Sequence, residues 1–356
     1  MSKKLFLWAL LLVLISSGCV NTTQESDNKS SSSSENSSVE VIARNLESPW
    51  AIVKHKDIFF ITERNGTITK IENEVQQRES VELHENVLHH GEGGLLGMVL
   101  HPDFENNKLA FLYHTYGSED AIKNRLVVIK YEEDKWVEQS VLLENIEGST
   151  FHNGGRIKIG PDSMLYVTIG DVQNPESAQN PDSLQGSILR MELDGSIPSD
   201  NPYHDSYVYS YGHRNSQGMA WDLESETMYA SEHGPSARDE INIIEPGQNY
   251  GWPVITGSEQ EEKMVPPLFH SGSKTWAPSG IAFHNNILYV AALRGEAIRS
   301  FNLETQEEYP LVREYGRIRD IVIEEEYLYA ITNNTDGRGN PDTNDDILLI
   351  ISLNEN

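Results

Sequence analysis

The chain has 356 residues, with 27 Lys and Arg against 55 Asp and Glu, a formal net charge of -28, and 38% hydrophobic residues. An acidic surface of that size repels DNA, RNA and anionic lipid headgroups, which argues against nucleic acid as a partner. The apolar content suffices for the core of one domain of about 300 residues, which excludes disorder over most of the length.

At the start, Lys3 and Lys4 precede an apolar stretch from Leu5 to Ile15, too short to span a bilayer of about 30 Å, and it reads as an export signal. Ser16-Ser17-Gly18-Cys19 follows, and Cys19 is the only cysteine, so no intramolecular disulfide can form. This stretch resembles a bacterial lipoprotein cleavage box with lipid on Cys19, although Ser16 stands where such boxes carry an aliphatic residue; the alternative is an ordinary secretory signal. Asn21 to Ser38 is Ser-rich and nearly free of apolar residues, the composition of a flexible tether. The expected organisation is a signal peptide over 1–18, a tether over 19–38 and one domain over 39–356, exported and either lipid-anchored on the extracytoplasmic side of the membrane or secreted.

From Val39 onward, short β-rich runs recur between Gly, Asn, Asp and Pro, with no long amphipathic helix. A unit in which an aromatic-containing strand leads through a turn or loop to a second apolar strand occurs six times, at Ile58 to Ile71, Leu109 to Tyr131, Met164 to Leu193, Met228 to Ile244, Ile287 to Leu303 and Tyr327 to Ser352. Phe60, Phe111, Tyr166, Tyr229, Tyr289 and Tyr329 mark equivalent points at separations of roughly 40 to 63 residues, enough for one four-stranded blade per repeat. The prediction is an all-β, six-bladed β-propeller with four-stranded antiparallel blades. Val39 to Ala43 would supply the outer strand of the last blade, covering an open edge. A β-sandwich is the competing fold, and it accounts poorly for six similar units.

Polar strings sit in the loops between these strands. In FHNGGRIKIGPDSMLYVTIGD, His152 precedes two glycines and Asp171 ends the following hairpin. A histidine held by a carboxylate keeps one tautomer and can take a proton from a hydroxyl near neutral pH; equally, His152 caps a loop and Asp171 closes a turn. YSYGHRNSQGMAW sets Arg214 and Asn215 between glycines, where a guanidinium polarises a carbonyl, binds a carboxylate or makes a surface ion pair. SEHGPSARDEINIIEPGQNYGWP offers carbonyls at Gly234 and Pro235 beside Asp239 and Glu240, hard oxygen atoms that suit Ca²⁺, with turn capping as the other role. The loop NTDGRGNPDTNDD is not counted as a metal site, because Arg338 stands where an EF-hand needs an oxygen ligand. YGRIRDIVI spaces Arg317 and Arg319 two apart, on one side of a strand; with Arg214 and Arg294 they enclose an anion, or each pairs singly with a carboxylate.

Taken in order, GEGGLLGMVLHPDF, FHNGGR, TIGD, LQGSILRM, YGHRNSQGMAW, SEHGP with DEIN, NYGWP and RIRD resemble the soluble PQQ-dependent sugar dehydrogenases of glucose, aldose and sorbosone type, from about Leu46 to Ile350. The resemblance implies the six-bladed propeller, PQQ and Ca²⁺ as cofactors, and oxidation of a sugar at C1 to a lactone with hydride passing to C5 of the quinone. On it, His152 is the general base, Asp171 orients it, and Arg214 polarises the C5 carbonyl. Glu92, Asn215, Arg294, Arg317 and Arg319 match cofactor-contacting positions, with Glu92 in place of a glutamine and Arg294 in place of a lysine. The carbonyls of Gly234 and Pro235 match ligands of the cofactor's Ca²⁺; Glu240 and the Tyr250 carbonyl match a second, structural calcium site. Tyr250 and Trp252 suit packing as well as ligand contact. A carboxylate beside an anionic cofactor is unfavourable unless it pairs with a cation or carries a proton, which leaves the role of Glu92 open. The implied partners are a small-molecule sugar, an electron acceptor of unspecified kind and, if one forms, a second copy in a homodimer. Two other functions fit the same fold: a calcium-dependent hydrolase of lactonase kind, and a non-catalytic sugar-binding propeller.

Overall fold

The computed structural model describes residues 39–354; the expected signal peptide and tether lie outside them. Among the described residues there are 24 strands, a single four-residue helix at Phe104–Asn107 and a short 3-10 turn at Pro175–Gln179. No helix among them is long and apolar enough to cross a membrane.

Four sheets have four antiparallel strands each, and a fifth has eight. In all of them, second strands are buried nearly end to end. Ile58–Glu63, Leu165–Ile169, Thr227–Glu232 and Ile287–Ala292 show the pattern, because such strands are packed on both faces. All six marker aromatics fall on second strands: Phe60, Phe111, Tyr166, Tyr229, Tyr289 and Tyr329. The repeat seen in the sequence is therefore a repeat of position in the sheet.

The eight-stranded sheet is where observation departs from six equal sheets. It consists of two antiparallel runs of four, one over 49–82 and one over 95–147, whose outermost strands Val75–Glu82 and Lys135–Glu147 meet in parallel at Val81 with Trp136 and Glu82 with Val137. The long outer strand of the second run reaches its neighbour's edge and covers it, which removes two exposed edges at once. The other sheet edge is closed as predicted: Val39–Ala43 pairs antiparallel with Leu348–Ser352, stapling the first strand onto the last sheet.

The first strands of the six runs, Pro49–His55, Leu95–Leu100, Ile157–Ile159, Ser216–Asp222, Pro278–His284 and Ile318–Glu324, each contact the next, and the last returns to the first. At the axis lies a buried ion pair. Arg156 Nη1 donates to Asp320 Oδ2 at 2.8 Å, and the backbone N–H of Ile52 donates to the same oxygen at 2.9 Å. Arg156 Nε donates to the Gln217 carbonyl at 2.8 Å, so one guanidinium and one carboxylate connect four of the six innermost segments. Each side chain is only 2% exposed. The space is tight: a Cβ on Gly280 would sit 1.8 Å from Asp320 Oδ1.

Removing one partner of such a pair leaves an uncompensated buried charge. Asp320→Ala should lower the unfolding free energy by about 3–5 kcal/mol in denaturant titrations, and the double variant with Arg156→Met should recover most of that loss. A single variant within about 1 kcal/mol of the parent would show that the pair does not hold the ring together.

Candidate active site

Loops leaving one end of the inner strands line a cavity of about 710 Å³ whose walls include Glu92, His152, Arg214, Gly234, Pro235, Arg294, Arg317 and Arg338. These come from distant parts of the chain, and all but Arg338 were singled out from sequence.

His152 sits in a left-handed backbone conformation, with φ of 63°. Its loop lies flat on the next strand because the contact points lack side chains: a Cβ on Gly154 would meet the Thr168 carbonyl at 2.3 Å, and one on Gly170 would meet the His152 carbonyl at 2.0 Å. His152 Nδ1 lies 2.7 Å from Asp171 Oδ1, and the imidazole is 16% exposed while Asp171 is 1% exposed. Asp171 is itself held, accepting from Trp252 Nε1 at 2.8 Å and from the Gln173 backbone at 2.9 Å. With Nδ1 turned to the carboxylate, Nε2 is the nitrogen left to take a proton. Asp171 also closes a turn, its carbonyl accepting the Asn174 N–H at 2.8 Å.

Arg214 stands beside it. Its Nη1 donates to the His233 carbonyl at 3.2 Å, and its guanidinium lies 5.3 Å from the centroid of Trp252. Burial lowers its pKa, against the opposing pull of Asp171 and Glu232. The backbone N–H of Arg214 donates to Glu232, whose other oxygen meets His213 Nδ1 at 2.8 Å. Trp252 therefore touches both the carboxylate behind His152 and the neighbouring cation, a role that sequence left open between packing and ligand contact.

Glu92 has the partner it needs. Its Oε2 accepts the His152 backbone N–H at 3.0 Å and its Oε1 accepts Arg338 Nη1 at 2.8 Å. Burial alone would raise its pKa; the His152 N–H and Arg338 outweigh that and hold it at about 2. The arginine that disqualified its loop as an EF-hand is the residue that reaches the site.

The two arginines of YGRIRD differ in their protein partners. Arg317 is neutralised by Asp336, with Nη2 to Oδ2 at 2.8 Å. Arg319 lies deeper, donating to Gln217 at 2.9 Å with no carboxylate in ion-pair range among the described residues, and burial pushes its pKa down to about 9. Arg64, also buried, makes its side-chain bonds to the Gly91 and Gly93 carbonyls. Arg294 is exposed at the rim. Asn215 is buried, its Oδ1 accepting the Gly154 N–H at 3.2 Å.

The donors left over indicate what the cavity suits. Arg214 Nε, Asn215 Nδ2, His233 Nε2 and Arg319 Nε are buried and have no partner among the described residues. An unpaired buried donor is costly, and an acidic, oxygen-rich planar ligand such as PQQ would satisfy the one on Arg214, which lines the cavity. His233 stays neutral, its pKa lowered to about 4 by burial against the opposing pull of Asp239 and Glu92.

The metal expectations divide. Gly234 and Pro235 line the cavity, and neither carbonyl accepts a hydrogen bond among the described residues, which suits a hard cation. Asp239 is a turn brace instead: Oδ1 accepts the Gly234 N–H, and Oδ2 accepts from Thr275, Trp276 and Ala277. Glu240 is buried across a strand pair from Glu232, and burial followed by repulsion from Glu232 raises its pKa to about 8. Tyr250 stacks on His213 at 4.8 Å, and its hydroxyl donates to the Ile243 carbonyl. No group of three or more His, Cys, Asp or Glu side chains suited to a metal occurs among the described residues.

Because Glu92 has a folded pKa near 2 against 4.5 for an ordinary glutamate, its contribution is present in full above about pH 4.5 and fades as pH falls toward 2. Glu92→Gln should therefore be less stable than the parent by up to about 3 kcal/mol at pH 7, with the gap narrowing between pH 4.5 and 3 in denaturant titrations. A gap independent of pH would show that Glu92 does not hold its charge in this pair.

Residues 46–349 match the family model described as Glucose / Sorbosone dehydrogenase. The aldose sugar dehydrogenase of Escherichia coli is 30% identical, the match covering 84% of this chain and 91% of that protein. Quinoprotein glucose dehydrogenase B of Acinetobacter calcoaceticus is 34% identical over 64% of this chain and 55% of its own length. The solved PQQ-bound form of aldose sugar dehydrogenase from Streptomyces coelicolor superposes with a TM-score of 0.82 at 35% identity, covering 89% of this chain and 98% of that one. With its ordered motifs converging on one cavity and the family match spanning nearly all of the described residues, the chain belongs to the glucose/sorbosone dehydrogenase family.

Proposed function

We propose that the protein is a PQQ- and calcium-dependent dehydrogenase that oxidises aldoses at C1 to lactones. The observation that carries this reading is the His152–Asp171–Trp252 relay beside a cavity lined by Arg214 and His233, each with a buried polar nitrogen that has no partner among the described residues. Six four-stranded blades are part of the reading, the eight-stranded sheet being two blades joined at their outer edges; the ring of six inner strands supports that count.

PQQ, when bound, supplies the acceptor for the hydride that leaves C1. The chain's own residues do the rest. His152 Nε2 takes the proton of the anomeric hydroxyl, so the C1–O bond becomes a carbonyl as the C1–H bond breaks. Asp171 stabilises the imidazolium that forms and fixes its ring. Arg214, Arg319, Asn215 and Arg294 would hold the cofactor's carboxylates and carbonyls, with Arg214 opposite the developing negative charge. The Gly234 and Pro235 carbonyls would hold Ca²⁺ against it, and Glu240 with the Tyr250 carbonyl would serve a second, structural ion. A lactonase would need several free carboxylates to ligate its metal, whereas Glu92 and Asp239 are already engaged, which leaves Glu296 as the one unpaired carboxylate lining the cavity among the described residues. The leader and Cys19 support an exported, lipid-anchored protein.

Purified protein supplied with PQQ, Ca²⁺ and a panel of aldoses should reduce an artificial electron acceptor; absence of turnover with every sugar would end this reading. His152→Ala should lose about a hundredfold or more in kcat while its PQQ titration is unchanged, and normal turnover would remove the base from His152. Trp252→Phe, which keeps an aromatic but deletes the N–H to Asp171, should lower kcat about tenfold with little change in KM.

A further inference from the structure

A second cavity opens at the far end of the same inner strands. Residues of the first cavity such as Glu92, His152 and Arg317 precede those strands, whereas this one, of about 390 Å³, is walled by residues within them. Its plan follows from the register of the sheets. The six marker aromatics pair with Val53, Val99, Lys158, Ala220, Ala282 and Val322 on the first strands, and all six of these partners line the cavity. Five of them are small and apolar, and the sixth is a lysine. Beyond this ring Trp221, Phe283 and Ile323 continue the apolar wall, and Leu223, which also lines it, is 74% exposed.

The other charged residues of the wall, Lys54 and Glu324, pair with each other. Lys158 is partly buried, and no hydrogen-bond or ion-pair partner for its ammonium occurs among the described residues. Burial pushes its pKa below the ordinary lysine value, and the charges that act on it, Asp320 and Arg156, are already bound to each other. An ammonium set among apolar side chains loses hydration and gains nothing in return unless an anion joins it. The cavity lies toward the lower end of the range of about 300–1,000 Å³ usual for small-molecule sites, and it has the usual make-up of such sites, apolar walls with one polar anchor. An uncharged apolar molecule would leave the anchor unpaired, and a dianion would find a single free cation. We propose that this cavity is a second ligand site, taking a compact apolar monocarboxylate with its carboxylate on Lys158 and its body against Trp221, Phe283 and Ile323. The site stands apart from the cofactor and does not depend on the dehydrogenase reading.

The test is isothermal titration of the full-length protein, with PQQ and Ca²⁺ added, using naphthoate, octanoate and the uncharged naphthalenemethanol as probes. The parent should bind both acids about tenfold or more tightly than the alcohol. Lys158→Met, which gives the ring a sixth apolar side chain, should lose about that factor for the acids and bind the alcohol as before, while Lys158→Arg should keep most of the acid affinity. Thermal melts without ligand check that both variants fold. Equal acid affinity in Lys158→Met and the parent, equal affinity of the parent for acid and alcohol, or no binding of either acid would overturn the site. So would acid binding that survives in Lys158→Met and is lost in Arg214→Gln, which would put the acid in the first cavity. Sedimentation showing a dimer that Leu223→Asp dissociates, with no acid bound, would assign this face to a second copy and overturn the site as well. None of these outcomes bears on the oxidation of aldoses beside His152.

Discussion

The inner strands of this protein meet around the Asp320 carboxylate, paired with Arg156 in a place that water does not reach. Its carboxylate meets Arg156 and the Ile52 N–H, and Arg156 extends to the Gln217 carbonyl, so segments far apart in sequence meet at one point. The indole of Trp50 lies between two cations, 4.3 Å from the Arg156 guanidinium and 6.0 Å from that of Arg319. Ion pairs of this kind are poor sources of stability compared with apolar packing. Their value here is directional: a charge pair with defined hydrogen bonds fixes how inner strands meet, which a greasy contact would leave adjustable. The positions of His152, Arg214 and Arg319 follow from that alignment.

The site is a local inversion of the molecule's charge. A chain with net charge -28 gathers Arg214, Arg294, Arg317, Arg319 and Arg338 around or beneath one cavity. Two of these are neutralised, Arg317 by Asp336 and Arg338 by Glu92, while Arg319 is buried with no carboxylate beside it. That division separates the cations already paired in the walls from one with no carboxylate partner among the described residues. A carboxylate is tolerable at Glu92 because an arginine from the opposite end of the chain neutralises it, and together they brace the backbone of His152.

How much of this was legible in the sequence depends on how local each signal is. The strand repeat was readable because each marker aromatic, from Phe60 to Tyr329, occupies the same strand of its sheet, and the closing role of Val39–Ala43 followed from the need to cover an edge. The join of two sheets through Val81 and Trp136 was not readable, since two residue pairs between distant strands leave no periodic trace. The pairing of His152 with Asp171 was visible because one hairpin spans it. Trp252 and Arg338 carried weaker signals: their partners Asp171 and Glu92 lie 81 and 246 residues away, and only closure of the ring brings them together. The lone arginine in an acidic loop is the available hint, since it breaks the pattern of a metal-binding loop. Arg317 and Arg319 looked alike by spacing, yet Asp336 separates them into a paired and an unpaired cation.

On the proposed function, the bond broken in the sugar is the one between C1 and its hydrogen. Incubating the PQQ- and Ca²⁺-loaded protein with an aldose deuterated at C1, and analysing the oxidised product by mass spectrometry, tests this directly. The expected product has lost the deuterium and forms more slowly than from the unlabelled sugar; an oxidised product that keeps the label at C1 would overturn dehydrogenation at that carbon.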